Sequence, residues 1–315
     1  MNGQFCFVVV AQHSDANYKR CRENILKDTK KGRKNIKELK YKDMGVREMN
    51  TSKLIKELRE IGIIFDKENF RKQAQNYISA CELAKDKYVK KYNLSDVSSD
   101  FVFFAIKELW YRILPDRICV EMIDDAMQKG YDYLGNDNYV KGLEMWGNAW
   151  RMMIEIVPKS IKSVETADDF LGGLLQIIYN WCQDYELELG NAGIKDDSYH
   201  TERIKYCHDF CSRFPDTDEN IMVNMLWAEA ESTAVIGDTM KSDELFGALV
   251  RRFPKNVWCY VGWGDMYSGI FGSKSSVDYE RAKKIYRSGL ERCSTETEVL
   301  IERLDYLEKE KIKLP

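Results

Sequence analysis

The chain has 315 residues, of which 44% are hydrophobic and 31% are charged, and this balance is typical of a folded protein rather than a disordered one. At about 100–200 residues per domain, the length predicts one long domain or two smaller ones. No apolar run reaches the roughly 18 residues that span a membrane, and no basic residue precedes the apolar start as in a signal peptide. Composition therefore predicts a cytoplasmic protein without a membrane partner.

Charge is distributed unevenly along the chain. Residues 1–50 contain twelve Lys or Arg and six Asp or Glu, a net charge of +6, whereas the whole chain carries −3. Within this head, a short basic cluster without interleaved aromatic residues comprises Lys30, Lys31, Arg33 and Lys34. Such a cluster is typical either of a solvated helix face, which is the preferred interpretation, or of a contact with nucleic-acid phosphates.

The nine cysteines follow no regular spacing, which predicts free thiols in a reducing compartment rather than a disulfide framework. His200, Cys207, His208 and Cys211 lie within twelve residues, and the two cysteines are four apart on a predicted helix. This spacing is half of a zinc site, but no second pair of ligands is visible nearby. Buried core cysteines are the preferred interpretation, so neither a metal nor another cofactor is predicted.

The β signal is confined to the start of the chain. Residues 5–11, FCFVVVA, are typical of a buried strand, and a second short strand is predicted near residues 36–41. From residue 50 the apolar period becomes helical. The sequence therefore predicts a small basic α/β segment over 1–49, a helical part over 50–118, and helical repeats over 119–315.

Capping residues predict where several helices begin and end. Residues 50–52 are good N-caps, Gly62 fits a C-terminal cap, and residues 98–100 are expected to cap a later helix. One continuous helix is expected over 167–190, ending at Gly190. Since nearly every predicted helix ends at Gly or Pro, antiparallel helix pairs with short turns follow.

Small and aromatic residues recur with a period near 34 residues. The pattern is small, aromatic, small, aromatic, small over two helices. Three segments can be laid on it: Gly130, Tyr133, Gly142, Trp146 and Ala149; Ala230, Thr233, Ser242, Phe246 and Leu249; and, if about six extra residues loop out around FGSKSS, Gly264, Tyr267, Ala282, Tyr286 and Gly289. This pattern resembles the tetratricopeptide repeat. The resemblance implies a solenoid of antiparallel helix pairs that binds a protein or peptide on its concave face.

The stretch NVWCYVGWGDMYSGIFG, residues 256–272, raises the question of a phosphate-binding loop. No strand precedes its glycines and the Lys-Ser/Thr of such a loop is missing, so close helix packing is the preferred interpretation of Gly262 and Gly264. Asp265 is expected to face solvent or a helix end.

The runs LIKELREIGIIFD, GYDYLGNDNY and SYHTERIKYCHDFCSRFPD are similar to bacterial helical-repeat proteins of unassigned role. Those proteins often carry a small zinc-binding tail called SEC-C. The chain ends in KIKLP without the cysteine pattern of that tail, so the tail's function is not carried over.

No catalytic motif is present, and the adjacent aspartate pairs are interpreted as helix caps. Trp150 and Tyr185 are the candidate partner-binding residues, because aromatic side chains on a concave surface anchor peptides. The sequence thus predicts a mainly α, non-enzymatic binding scaffold. The alternative is a nucleic-acid-associated protein that docks through its basic head.

Overall fold

A computed structural model of the chain describes residues 45–92, 94, 96–268 and 277–313. Within these residues the protein is mainly helical, with fourteen helices and no strand. The strands predicted at 5–11 and 36–41 lie outside the described residues, as does the rest of the predicted α/β segment up to residue 44. The chain divides into two compact units, and residue 119, where the repeats are predicted to begin, lies inside the first.

The first unit comprises residues 45–158 and Ala167–Ile177. Its core is an apolar cluster that includes Leu54, Phe70 and Trp110. Its helices are α1 (Thr51–Glu60), α2 (Lys67–Ala74), α3 (Ala80–Ala84, a π-helical segment Lys85–Val89, and Lys90–Tyr92), α4 (Asp96–Ile113), α5 (Val120–Leu134) and α6 (Tyr139–Ile156).

The second unit comprises Lys159–Thr166 and residues 178–313, so α7 (Val164–Leu171) is divided between the two units. Its helices follow one another closely, and consecutive helices pack together. They are α8 (Ile178–Gly193), α9 (Ser198–Arg213), α10 (Glu219–Val235), α11 (Thr239–Arg252), α12 (Val257–Ser268), α13 (Tyr279–Arg292) and α14 (Glu298–Lys313).

Side-chain caps fix several helix starts. The Asn50 side chain accepts a hydrogen bond from the Lys53 amide over 2.9 Å, and Asp66, Ser79, Asn138, Asp238 and Asp278 cap other helices in the same way. Each cap satisfies an amide that has no partner within its helix. The cap predicted at Asn50 is confirmed, and so is Gly62, which adopts φ +90° just beyond α1.

Three predictions about the extent of helices are wrong. Residues 98–100 lie inside α4, which already begins at Asp96. The expected helix over 167–190 is broken, because α7 ends at Leu171 and Gly172 and Gly173 adopt φ +52° and +72°, outside the helical region. Gly190 does not end α8, which continues to Gly193.

Helices α5 and α6 form a closely packed antiparallel hairpin. A Cβ atom added at Gly130 would lie 2.2 Å from the indole of Trp146, so only glycine lets this ring approach. The Trp146 Nε1–H donates to the carbonyl of Met127 over 3.0 Å, and Gly142 packs against Leu134. The hairpin is therefore joined by large side chains seated on glycine backbone.

The glycines of α12 also pack against rings. A Cβ atom at Gly264 would lie 2.0 Å from the Tyr286 ring, and one at Gly262 would lie 2.6 Å from Trp227. Both glycines lie within a helix and neither belongs to a loop. The prediction that this stretch serves close helix packing is confirmed.

Candidate functional site

A groove of about 540 Å³ runs along the surface of the first unit. It is formed where the end of α4 meets one face of α5 and one face of α6. Its walls combine apolar and charged side chains: Tyr111, Met122, Asp125, Ala126, Lys129, Met145, Asn148, Arg151, Met152 and Glu155. We call this feature the α4–α6 groove.

Helical spacing places these side chains together. Met122, Ala126 and Lys129 lie three and four residues apart on α5, and Met145 and Met152 lie seven apart on α6, so each set shares one helix face. In the hairpin contact, the Trp146 indole of α6 meets the Met127 backbone carbonyl of α5. The packing of α5 on α6 therefore fixes where the methionine side chains emerge.

A hydrogen-bonded cluster closes one wall of the groove. Asp125 accepts from the Lys107 Nζ and from the Tyr111 hydroxyl, each over 3.0 Å. Burial, and then the nearby Asp125 carboxylate, raise the pKa of Tyr111, so its hydroxyl remains a neutral donor. The charge of Asp125 is thus compensated inside the seam between α4 and α5.

The cations of the other wall have no acidic partner among the described residues. Lys129 makes no ion pair there, and Arg151 donates only to the side-chain oxygen of Asn148. Glu155 lies one turn beyond Arg151 on α6, and no ion pair joins the two in the described part of the chain. Lys129 on α5 and Arg151 on α6 can therefore each form an ion pair with an acidic group of a ligand.

The two aromatic residues chosen from the sequence are buried. Trp150 in α6 is 6% exposed and Tyr185 in α8 is 2% exposed. The Tyr185 hydroxyl donates to Glu202 over 3.2 Å, and its ring centroid lies 4.5 Å from that of Tyr206. Little of either ring is open to a partner.

The basic cluster Lys30, Lys31, Arg33 and Lys34 lies outside the described residues. The nucleic-acid alternative that depends on it stays a prediction.

The two histidines and two cysteines singled out near residue 207 lie on α9, but their surroundings differ. His200 is buried with Nδ1 3.3 Å from the Ser232 hydroxyl, whereas His208 is exposed with Nδ1 3.2 Å from Glu229. Cys207 is buried against Met225. In the part of the chain that the structure describes, no group of three or more His, Cys, Asp or Glu side chains is placed to hold a metal ion.

Seven cysteines fall within the described residues, and all are free thiols. Burial is the first cause that raises the pKa of each of them, to about 12 for Cys81, Cys211 and Cys259. At neutral pH these side chains are therefore protonated, and a reactive thiolate is scarce.

A buried charge network joins α8, α9 and α10 in the second unit. The Arg203 guanidinium donates to Glu186 over 2.6 Å, to Glu231 over 2.6 Å and to the Ser232 hydroxyl over 3.0 Å. Asn224 donates to the second oxygen of Glu186 over 3.1 Å. Burial raises the pKa of Glu186, although Arg203 opposes that rise.

Asp265 belongs to a second network of this kind, so the expectation that it faces solvent or a helix end is wrong. The residue is 4% exposed, and its carboxylate accepts from Arg303 Nε over 2.8 Å and from the Tyr286 hydroxyl over 2.5 Å. Burial raises the pKa of Asp265, and Arg303 and Tyr286 counteract that effect. The aspartate therefore joins α12 to α13 and α14.

Sequence reasoning missed the groove. The available signal was a spacing of seven residues. It places Met145 and Met152 on one face of α6, and it places Met122 and Lys129 on one face of α5. The predicted binding residues were aromatic, so these methionines were not considered.

No described helix combines the length and the apolar character that crossing a membrane requires. Comparison with protein-family models, with curated proteins and with solved structures gave no match.

Proposed function

We propose that the protein is a tetratricopeptide-like helical-repeat scaffold of the bacterial cytoplasm that binds a protein or peptide and catalyses no reaction. It would form an antiparallel helix-pair solenoid and be related to the SEC-C-associated proteins, without their zinc tail. The small α/β segment predicted over 1–49 belongs to the same proposal.

The recurrence of one helix-pair contact carries this proposal. Gly130 receives Trp146 in the α5–α6 pair, and Gly264 receives Tyr286 in the α12–α13 pair. In the α10–α11 pair, Ala230 and Phe246 share one core cluster, and the Ser242 hydroxyl donates to the Ala230 carbonyl over 2.7 Å. These contacts fall at the positions that the tetratricopeptide pattern assigns to small and aromatic residues.

The α4–α6 groove is the proposed binding surface. Its apolar floor and charged walls are suited to side chains of a peptide, since interfaces combine an apolar centre with a polar rim. A binding role also fits the chemistry of the walls, because Asp125 is already occupied by Lys107 and Tyr111. A general acid–base pair needs groups that are directed at a substrate.

The test is capture of partners from a bacterial lysate by the full chain, with and without nuclease. The leading captured protein is then purified and titrated against three chains: wild type, Met152→Glu and Met240→Glu. Met152 lines the groove, whereas Met240 is 76% exposed on α11 and serves as the matched control.

We expect a protein partner that resists nuclease, binds wild type and Met240→Glu equally, and loses at least about tenfold in affinity for Met152→Glu. Recovery of nucleic acid alone, with nothing left after nuclease, would overturn the scaffold proposal and favour the basic head.

A further inference from the structure

We propose that the α4–α6 groove selects a peptide segment in which apolar side chains are flanked by acidic residues. The inference rests on the scaffold function proposed above and specifies the partner of that same site. Three features of the groove carry it: a methionine floor, cations that have no acidic partner among the described residues, and the placement of those cations on both helices.

The floor is built from unbranched, polarizable side chains. Met122, Met145 and Met152 are each partly exposed, so their thioethers are accessible to a ligand. Methionine adapts its three rotatable bonds to differently shaped apolar partners. The floor is therefore suited to aliphatic or aromatic side chains of a peptide, without demanding one particular shape.

The charge of the groove walls determines which sign of charge the partner should carry. Because Lys107 and Tyr111 satisfy Asp125, that carboxylate contributes little attraction for a basic ligand. Lys129 and Arg151 are exposed and have no acidic partner in the described ranges, whereas Glu155 is the one other carboxylate among the groove residues. Complementarity of charge therefore favours acidic groups on the ligand.

The two cations lie on both helices that supply the methionines. Lys129 belongs to α5 with Met122, and Arg151 belongs to α6 with Met145 and Met152. A ligand that contacts the methionine floor therefore meets a cation on either helix, which favours acidic residues on both sides of an apolar one.

The test is selection of a displayed random peptide library on the full chain, followed by titration of the enriched peptides as synthetic ligands. The charge-reversed groove variant is Lys129→Glu/Arg151→Glu. The matched control is Lys284→Glu/Arg287→Glu, which reverses one Lys and one Arg that are exposed on α13. Far-UV circular dichroism verifies that both variants are folded.

We expect enriched peptides to carry acidic residues on either side of an apolar one. They should bind the groove variant at least about tenfold more weakly and the control variant with unchanged affinity. Peptides of basic character, or peptides that bind the groove variant as tightly as wild type, would overturn this inference but leave the scaffold function standing. Enrichment of no peptide at all would count against both.

Discussion

The α5–α6 and α8–α9 hairpins both use glycine to let large side chains approach a helix backbone, but they fill the space with different chemistry. In α5–α6, Gly130 receives the indole of Trp146. In α8–α9, Gly190 and Gly193 lie against Arg203 and His200. In both hairpins a glycine on one helix faces a large side chain on the other. The glycine therefore determines only the size of the side chain that fits, whereas the neighbouring helices determine whether that side chain is apolar or charged.

The difference lies in what each large side chain then needs. The Trp146 ring is satisfied by one carbonyl, because its remaining surface is apolar. Arg203 is 6% exposed and retains its charge in the core, so it requires Glu186, Glu231 and Ser232 around it. The α8–α9 hairpin therefore depends on α10, which supplies two of those partners, in a way that the indole contact of α5–α6 does not.

The largest expected effect comes from Arg203→Met. Removal of the guanidinium leaves Glu186, which is 4% exposed, without its cation, and such a loss costs about 3–5 kcal/mol of unfolding free energy. Urea unfolding followed by far-UV circular dichroism measures it. The exposed Arg287→Met is the control and should cost less than about 0.5 kcal/mol.

The loss should diminish as the pH falls. Without the guanidinium, burial favours the protonated form of Glu186, so acid supplies the proton that neutralises it. A cost below about 1 kcal/mol at neutral pH would show instead that solvent reaches the network.

A second pair of variants, Gly130→Ala and Gly190→Ala, directly compares the two glycine positions against which Trp146 and Arg203 pack. The new Cβ would lie 2.2 Å from the Trp146 ring but 3.1 Å from the Arg203 guanidinium carbon. We expect Gly130→Ala to cost about 2–4 kcal/mol, since a buried indole has no room to move. Gly190→Ala should stay within about 1 kcal/mol, because the higher helix propensity of alanine offsets a small adjustment. Equal costs in urea unfolding would contradict the steric explanation.

The third prediction concerns Asp124 in α5, a carboxyl that forms no ion pair with any residue that the structure describes. Its pKa is raised to about 6, chiefly by burial, while its Oδ1 accepts from the Leu175 amide over 2.8 Å. Because the pKa is higher in the folded chain than in the unfolded one, ionisation destabilises the fold as the pH rises from about 4 to 6. Asp124→Asn keeps an acceptor and should stabilise the protein by about 2 kcal/mol at pH 7, with no gain near pH 4.

Urea unfolding at both pH values measures this effect. Asp125→Asn is the neighbouring control and should have the opposite sign at neutral pH, because it removes the ion pair with Lys107. A gain for Asp124→Asn that is equal at both pH values would rule out ionisation as its cause.

The smallest expected effect is that of Trp146→Phe. The smaller ring gives up the 3.0 Å hydrogen bond to the Met127 carbonyl but still packs on Gly130, which predicts a cost of about 1–2 kcal/mol. Thermal unfolding measures it, with the half-buried Trp258→Phe as a control of lower cost. An unchanged melting temperature would show that the carbonyl finds another donor.

Local chemistry made the helices predictable from the sequence. Asn50 caps α1 because its side chain needs only an amide three residues ahead, and Gly262 and Gly264 pack as expected because helical spacing places them beside aromatic residues. The prediction of a continuous helix through Gly172 and Gly173 was wrong for the complementary reason. Nothing in the local pattern decides whether adjacent glycines end a helix or lie within it.

The buried polar networks and the groove were not predictable by these means. Asp265 is internal because Arg303, 38 residues later, reaches its carboxylate, and no local pattern encodes that pairing. The α4–α6 groove likewise depends on how three helices meet. Trp150 and Tyr185 were chosen for ring size, but large rings are what a helical core most needs to bury.

The buried thiols can report local opening of the helices that contain them. An alkylating reagent attacks the thiolate, which burial suppresses at Cys81 and Cys119 in the first unit and at Cys182, Cys207, Cys211, Cys259 and Cys293 in the second. Each cysteine becomes modifiable when its own helix separates from its neighbours. Mass spectrometry of a timed alkylation would therefore rank the helices by their local opening, without a single engineered probe.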